Sequence, residues 1–201
     1  MIRSRPVARH GLSLAIGAAL AAGCVTETPG QDTTERDARQ ADVRRWIGEL
    51  TLEGVREENH AARTAFLVEN LVRWLPLGLP ILLAEGVPHA NPKVRENVAF
   101  CLGHAGGDRS AEEALVRLLD DPEELVSVSA AASLAAGHQS GAGVPVLLRA
   151  LRHSAGHVRA EAEKSLRAFS HQYHGFEADA APDAREFSAR KWDAWWRAQG
   201  R

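Results

Sequence analysis

Apolar positions in the middle of this chain recur at i, i+4 and i+8, the spacing that places side chains on one stripe of an α-helix. Val94, Val98 and Leu102 form one stripe, Val126, Ala130 and Leu134 a second, and Val158, Ala162 and Leu166 a third. Each stripe follows the one before by 32 residues. A second helix keeps the same step, because Ala114-Leu115 matches Val146-Leu147. A period of about 20–50 residues signals stacked helix pairs, each burying its apolar side against its neighbours. The pattern predicts an all-α fold, a right-handed α-solenoid of stacked helix pairs with about nine helices. Such an array presents a surface on which another molecule can be held.

The polar positions between the stripes mark helix ends. Asn91-Pro92 reads as an N-cap followed by proline in the first turn. Ser110-Ala111-Glu112-Glu113 reads as a capping box, and so does Asp183-Ala184-Arg185-Glu186. Asp121-Pro122-Glu123-Glu124 combines an acidic cap with a first-turn proline. Gly103 and Gly137 stand where C-terminal glycines are expected. These signals predict helices near 92–103, 109–120, 123–136, 142–152 and 155–171, with a short outer helix at 79–86. Less regular helices precede them at 42–53 and 56–75, where Trp46 and Trp74 read as core. A last helix runs from about Asp183 to Ala198 and holds Trp192, Trp195 and Trp196. Its two readings are a cap over the end of the last repeat and an exposed aromatic contact for a partner.

The repeat motifs resemble HEAT repeats, in particular the short bacterial form named after phycobilisome lyases. The residues that carry the resemblance are Leu118-Leu119-Asp120-Asp121-Pro122, Val94-Arg95, Val158-Arg159, Ala130-Ala131-Ala132 and Leu102-Gly103. It covers about residues 79–170 well and 42–78 loosely. In the family the arginine helps stack repeats through an acidic ladder. Ser127 stands where Arg95 and Arg159 do, so the resemblance implies an interrupted ladder at the middle repeat. The family includes scaffolds and lyase-associated proteins, so the resemblance speaks to fold more than to function.

The start of the chain has a different pattern. Arg3, Arg5 and Arg9 precede Gly11 to Ala22, a small apolar run without charge. The run is shorter than the ~20 residues that span a bilayer, and reads as an export signal. It ends at Leu20-Ala21-Ala22-Gly23-Cys24, which resembles a bacterial lipoprotein signal with its leucine displaced by one position. The resemblance implies cleavage before Cys24 and lipid on its sulfur and amino terminus. It also implies a membrane anchor, with Val25 in place of aspartate fitting outer-membrane sorting toward the periplasm. Val25 to Ala41 is polar and aperiodic and reads as a tether. The expected organisation is a signal peptide at 1–23, a lipidated cysteine and flexible tether at 24–41, a HEAT-like helical domain at 42–174, and a linker with a Trp-rich capping helix at 175–201.

Loss of residues 1–23 removes three arginines and no acid, taking the net charge from −2 to −5. A mildly acidic chain is poorly suited to nucleic acid or anionic lipid surfaces. With Cys24 lipidated only Cys101 remains, so no internal disulfide forms and the apolar core must supply stability. Cys101 reads as a small buried side chain.

No constellation of catalytic residues emerges. His153 with His157, and His171 with His174, have helical spacing, but no further Cys, His or His-Glu pair completes a ligand set. The acid pairs all stand at helix ends, where capping explains them. Expectations are therefore no catalytic residue, no metal and no cofactor. Opposite the buried stripes, Asn97 and Phe100, then Ser129, then Glu161 and Lys164 share the 32-residue step and form the candidate partner-binding wall. The expected function is a membrane-anchored scaffold that binds an unidentified protein. An enzyme or enzyme accessory and a purely structural envelope spacer are the alternatives.

Overall fold

The computed structural model describes residues 29–200, with side chains described from Thr33 onward. The signal segment and Cys24 lie outside the described residues. Within them the chain is helical: α1 Pro29–Glu49, α2 His60–Arg73, α3 Leu75–Ile81, α4 Pro92–Gly103, α5 Arg109–Leu118, α6 Glu124–Gly137, α7 Val144–Ala150, α8 Gly156–Ser170 and α9 Pro182–Ala198. A π turn, Leu82–Gly86, continues α3. No strand occurs among the described residues.

The helices form an α-solenoid of two layers. The inner row runs α2, α4, α6, α8, each packed on the next. The outer row holds α1, then α3 with its π turn, then α5 and α7, with α9 against α7. All nine residues of the three stripes are buried, from Val94 to Leu166. Two apolar clusters result, and α6 divides them. Val126, Ala130 and Leu134 face the first cluster, and Val128, Ala131 and Ala135 face the second.

Several boundaries differ from expectation. Residues 29–41, expected as a flexible tether, belong to α1. Proline suits the first turn, and ion pairs such as Arg39–Asp42 at 3.4 Å lie along the helix. Residues 33–38 bury nothing, and Val43 is the first buried side chain. The helix is thus held by its packed end and propagates outward from it. The helix expected over 56–75 stops at Arg73. At Trp74 the chain turns by 101° into α3, whose second residue is Pro76. A proline there has no N–H to continue the α2 ladder. Trp46 is buried, while Trp74 is half-buried beneath Arg39, whose guanidinium lies 4.7 Å from its ring centre.

Caps differ too. Asn91 caps α4 by accepting from the Lys93 N–H. The cap of α5 is Asp108, accepting from Ala111, and Ser110 lies inside the helix. Asp121 stands two positions before the N-cap of α6, Glu123, and accepts from the Glu123 N–H at 3.0 Å. The N-cap of α9 is Ala181, and Asp183 lies in its first turn.

Gly103 and Gly137 close α4 and α6, but no left-handed backbone explains them. A Cβ on Gly137 would overlap the Gly103 carbonyl oxygen, and one on Gly103 would lie 2.9 Å from Ser133 Cβ. They are small because the two inner helices touch through their backbones. Gly137→Ala should therefore destabilise the fold by ~1–3 kcal/mol, the usual cost of overpacking. At Gly48, in α1, a methyl group would meet nothing within 4 Å. Gly48→Ala should stabilise by ~0.5–1 kcal/mol. Urea melts of both variants check the pair, and equal effects of one sign would remove the close-contact explanation.

Candidate functional site

The 32-residue step sets equivalent residues of α4, α6 and α8 side by side. On their exposed side these helices enclose a groove of about 770 Å³. Four rows line it: Lys93, Leu125 and His157; Asn97, Ser129 and Glu161; Phe100, Ala132 and Lys164; His104, Ala136 and Ala168. Helix α6 is the floor, kept low by Ser129, Ala132, Ser133, Ala136 and Gly137, with Leu125 and Val128 at its start. Helices α4 and α8 are the walls.

The structure brings all five expected wall residues into this one groove. Their roles differ. Phe100 is 50% exposed and packs edge-on against His104, with ring centres 5.0 Å apart. An aromatic surface left open in a groove is a natural anchor for an apolar side chain. The Ser129 hydroxyl donates to the Glu96 carbonyl at 3.0 Å, tying floor to wall. The Asn97 amide nitrogen donates to the Lys93 carbonyl at 2.7 Å. Lys164 pairs with Glu161 at 3.3 Å, and Lys93 with Glu96 at 3.1 Å. Leu125, 43% exposed, adds a second apolar contact. The rows of Lys93 and His104 were not among the expected residues. The same 32-residue step, applied one helical turn to either side of Asn97 and Phe100, yields both.

A repeated hydrogen-bond device holds the walls in register. Arg95 donates to Asp121 through Nε at 2.7 Å and Nη2 at 2.8 Å, and to the His89 and Ala90 carbonyls through Nη1. Arg159 donates to the His153 and Ser154 carbonyls at 2.8 and 2.6 Å, the same pair 64 residues on. The Arg95 guanidinium, with the Glu123 N–H, holds the Asp121 carboxyl below the usual carboxylate range. Ser127 replaces the middle arginine, and its hydroxyl donates to its own helix at Glu124. The ladder is interrupted there.

The histidine pairs do not converge on a metal site. His153 accepts from the Ala155 N–H through Nδ1 at 2.9 Å and directs Nε2 to Glu124 at 3.4 Å. His157 lines the groove. His171 is the left-handed cap of α8, while His174 meets Trp192 edge-on. Among the described residues no group of three or more His, Cys, Asp or Glu could hold a metal ion. Cys101 is buried, and burial pushes its thiol up to about 12.

The Trp-rich helix caps the last repeat. Trp192 is fully buried in the cluster with Leu166 and Phe176. Trp195 meets Phe169 edge-on at 6.3 Å. Arg152, at the end of α7, binds Glu186 and Asp193 of α9 at 2.9 and 2.8 Å.

Residues 79–167 match a family model described as HEAT repeats. The match runs from α3 through α8 and covers the three helix pairs that build the groove. No curated protein matches the chain.

The cap contains a titratable group. His174 lies 4.4 Å from Trp192, ring centre to ring centre, nearly perpendicular, and its Nε2 is buried without a hydrogen-bond partner. Burial, then the nearby Lys191, lowers its pKa from the ordinary 6.5. Undocked, the ring binds a proton more readily than in the cap. Its contribution to docking is thus complete above pH ~6.5 and lost as pH falls through the lowered value. Glu163, whose carboxyl is raised chiefly by burial, titrates with the opposite sign. With Trp46 and Trp74 replaced by Phe, tryptophan emission should shift to the red as pH falls from 7 through the lowered value. His174→Gln should flatten that response; an unchanged response would remove His174 as its source.

Proposed function

We propose that this chain is a non-catalytic scaffold, anchored to an envelope membrane by lipid on Cys24, whose groove between α4, α6 and α8 holds a segment of a protein partner. The groove carries the reading: it is open, built on rigid helices, floored with small side chains, and set with Phe100 and Leu125. HEAT repeats generally serve as protein-interaction scaffolds, which agrees with the match over residues 79–167. In the groove Lys93 pairs with Glu96 and Lys164 with Glu161, and Asn97 and Ser129 are bonded to backbone, while Phe100 and Leu125 offer open apolar surface of the kind found at the centre of protein interfaces.

A photo-crosslinking side chain placed at Phe100 and at Leu125 tests the groove. Both positions should yield the same adduct in cells, and Ala132→Trp, which fills the floor, should abolish it. The same side chain at Val116, exposed on the outer helix α5, should yield none. Equal labelling from Val116 would sink the reading.

Membrane attachment rests on the sequence around Cys24. Among the described residues no single helix is long and apolar enough to cross a membrane. The bent pair α2–α3 reaches the required length and composition together, but Leu67, Leu71, Leu75 and Ile81 are buried in the first apolar cluster. Several acyl chains on one residue anchor firmly where one is marginal. The facing compartment is the periplasm, with the outer membrane favoured by Val25. Cys24→Ser should move the protein from the membrane to the soluble fraction; residence in the membrane pellet after a high-salt wash would exclude lipid as the anchor.

A further inference from the structure

The groove does not end at its walls. A hollow of about 530 Å³ shares Lys93, Asn97 and Phe100 with it and extends over α2, where Ala61, Ala65 and Val68 line it with Leu52. A third hollow, about 550 Å³, shares Lys164 and Ala168 with it and reaches the end of α8, where Arg167, His171, Gln172 and Tyr173 line it. The three form one trough that crosses the inner helices from α2 to α8. Three interaxial steps of about 8–10 Å make a path of ~25–30 Å, the span of roughly eight or nine extended residues at ~3.3 Å each.

The trough is polarised. Its α2 end is predominantly apolar, and Phe100 stands where that hollow meets the central groove. Its α8 end is cationic, and no carboxylate lines that hollow. The nearby acids are engaged. Glu161 pairs with Lys164 at 3.3 Å. The half-exposed Arg167 forms a long ion pair with the largely buried Glu163 at 3.7 Å, without a hydrogen bond between them. Glu177 accepts from the Tyr173 hydroxyl at 2.7 Å. The Arg167 guanidinium lies 4.9 Å over the Tyr173 ring, so the cation is held in place on an aromatic support. A planar guanidinium fixed in this way suits a carboxylate.

From this polarity we propose that the trough takes an extended peptide segment of a partner protein, with an apolar side chain seated at Phe100 and aspartate or glutamate residues at Lys164 and Arg167. The proposal rests on the groove as the binding surface and adds the occupant's direction and charge.

Fluorescence anisotropy of the full chain with labelled synthetic peptide pools tests it. Each pool has about ten residues and a randomised Gly/Ser/Ala middle. One pool carries Leu or Phe at one end and Asp or Glu at the other. A second replaces the acids with Lys, and a third replaces them with Ser. The acidic pool should bind about tenfold more tightly than the Lys pool. Lys164→Glu combined with Arg167→Gln should remove that preference. Phe100→Ala should weaken the acidic and Ser pools alike by about tenfold. Lys164 is 77% exposed and Phe100 half exposed, so both variants should keep the wild-type melt. Equal binding of all three pools, sensitive to Phe100→Ala, would overturn the charged end and leave the groove reading in place. Insensitivity of every pool to Phe100→Ala would overturn both.

Discussion

The backbone contact between α4 and α6 constrains much of the rest. At Gly103 and Gly137 the two helices come so close that no side chain fits between them. This approach forces small residues along α6, and they in turn let it be buried on two sides. Ser127, Val128, Ala130, Ala131, Ser133, Leu134 and Ala135 are all buried in one helix. A helix with apolar or small residues almost all round cannot form an amphipathic surface element. It forms a partition, with an apolar cluster on either side. The same small side chains leave the groove floor low, so the groove and the tight repeat contact arise from one constraint.

The polar framework supplies register more than energy. Arg95 reaches from α4 to Asp121, ahead of α6, through two short hydrogen bonds in a nearly buried setting. Burying such a pair costs desolvation, and its net contribution to stability is small. Its geometry still fixes where one repeat sits on the next. At the following junction the pattern changes. Ser127 has no reach, His153 stands 32 residues after Asp121, and His153 meets Glu124 at 3.4 Å. Position 89, 121 or 153 keeps one role throughout: it accepts the N–H two residues on, through a histidine nitrogen, a carboxylate oxygen and a histidine nitrogen in turn. The turn is preserved at each repeat, while the two-pronged tie from guanidinium to carboxylate is made by Arg95 and is missing at Ser127.

Whatever repeats is legible in the sequence. The nine stripe residues are buried because a helix-spaced apolar stripe has few other places to go, and the 32-residue step carries Asn97 and Phe100 onto Ser129, Glu161 and Lys164 in the same groove. Terminal features are less legible because nothing in the chain repeats them. A helical start at Pro29 has no apolar stripe to announce it, since residues 33–38 bury no side chain. Asp108 rather than Ser110 caps α5 because local motifs overlap, and the choice depends on where α4 releases the chain. Gly103 and Gly137 do end their helices, but for a different reason from the one a C-terminal glycine implies. A close backbone contact involves two distant segments and leaves no mark on either alone.

The C-terminal end shows how a stacking array is stopped. Arg159 has the inner-helix position from which Arg95 reaches an acid of the next repeat. It meets instead the Ala178 carbonyl, at 2.9 and 2.6 Å, in the irregular segment between α8 and α9. Phe176 from that segment is buried in the core, and the Ser188 hydroxyl donates to the Gly175 carbonyl at 2.8 Å. An irregular strap carries no helical ridges, so another inner helix has nothing regular to stack on. Trp192 fills the space behind it, and Arg152 ties α9 to α7 through Glu186 and Asp193. The side of the last repeat that would otherwise invite a further repeat is thus closed by side chains of the same chain. With that end closed, Phe100 and Leu125 are left as the large apolar side chains exposed along α4, α6 and α8, on the side of the array that the cap does not cover.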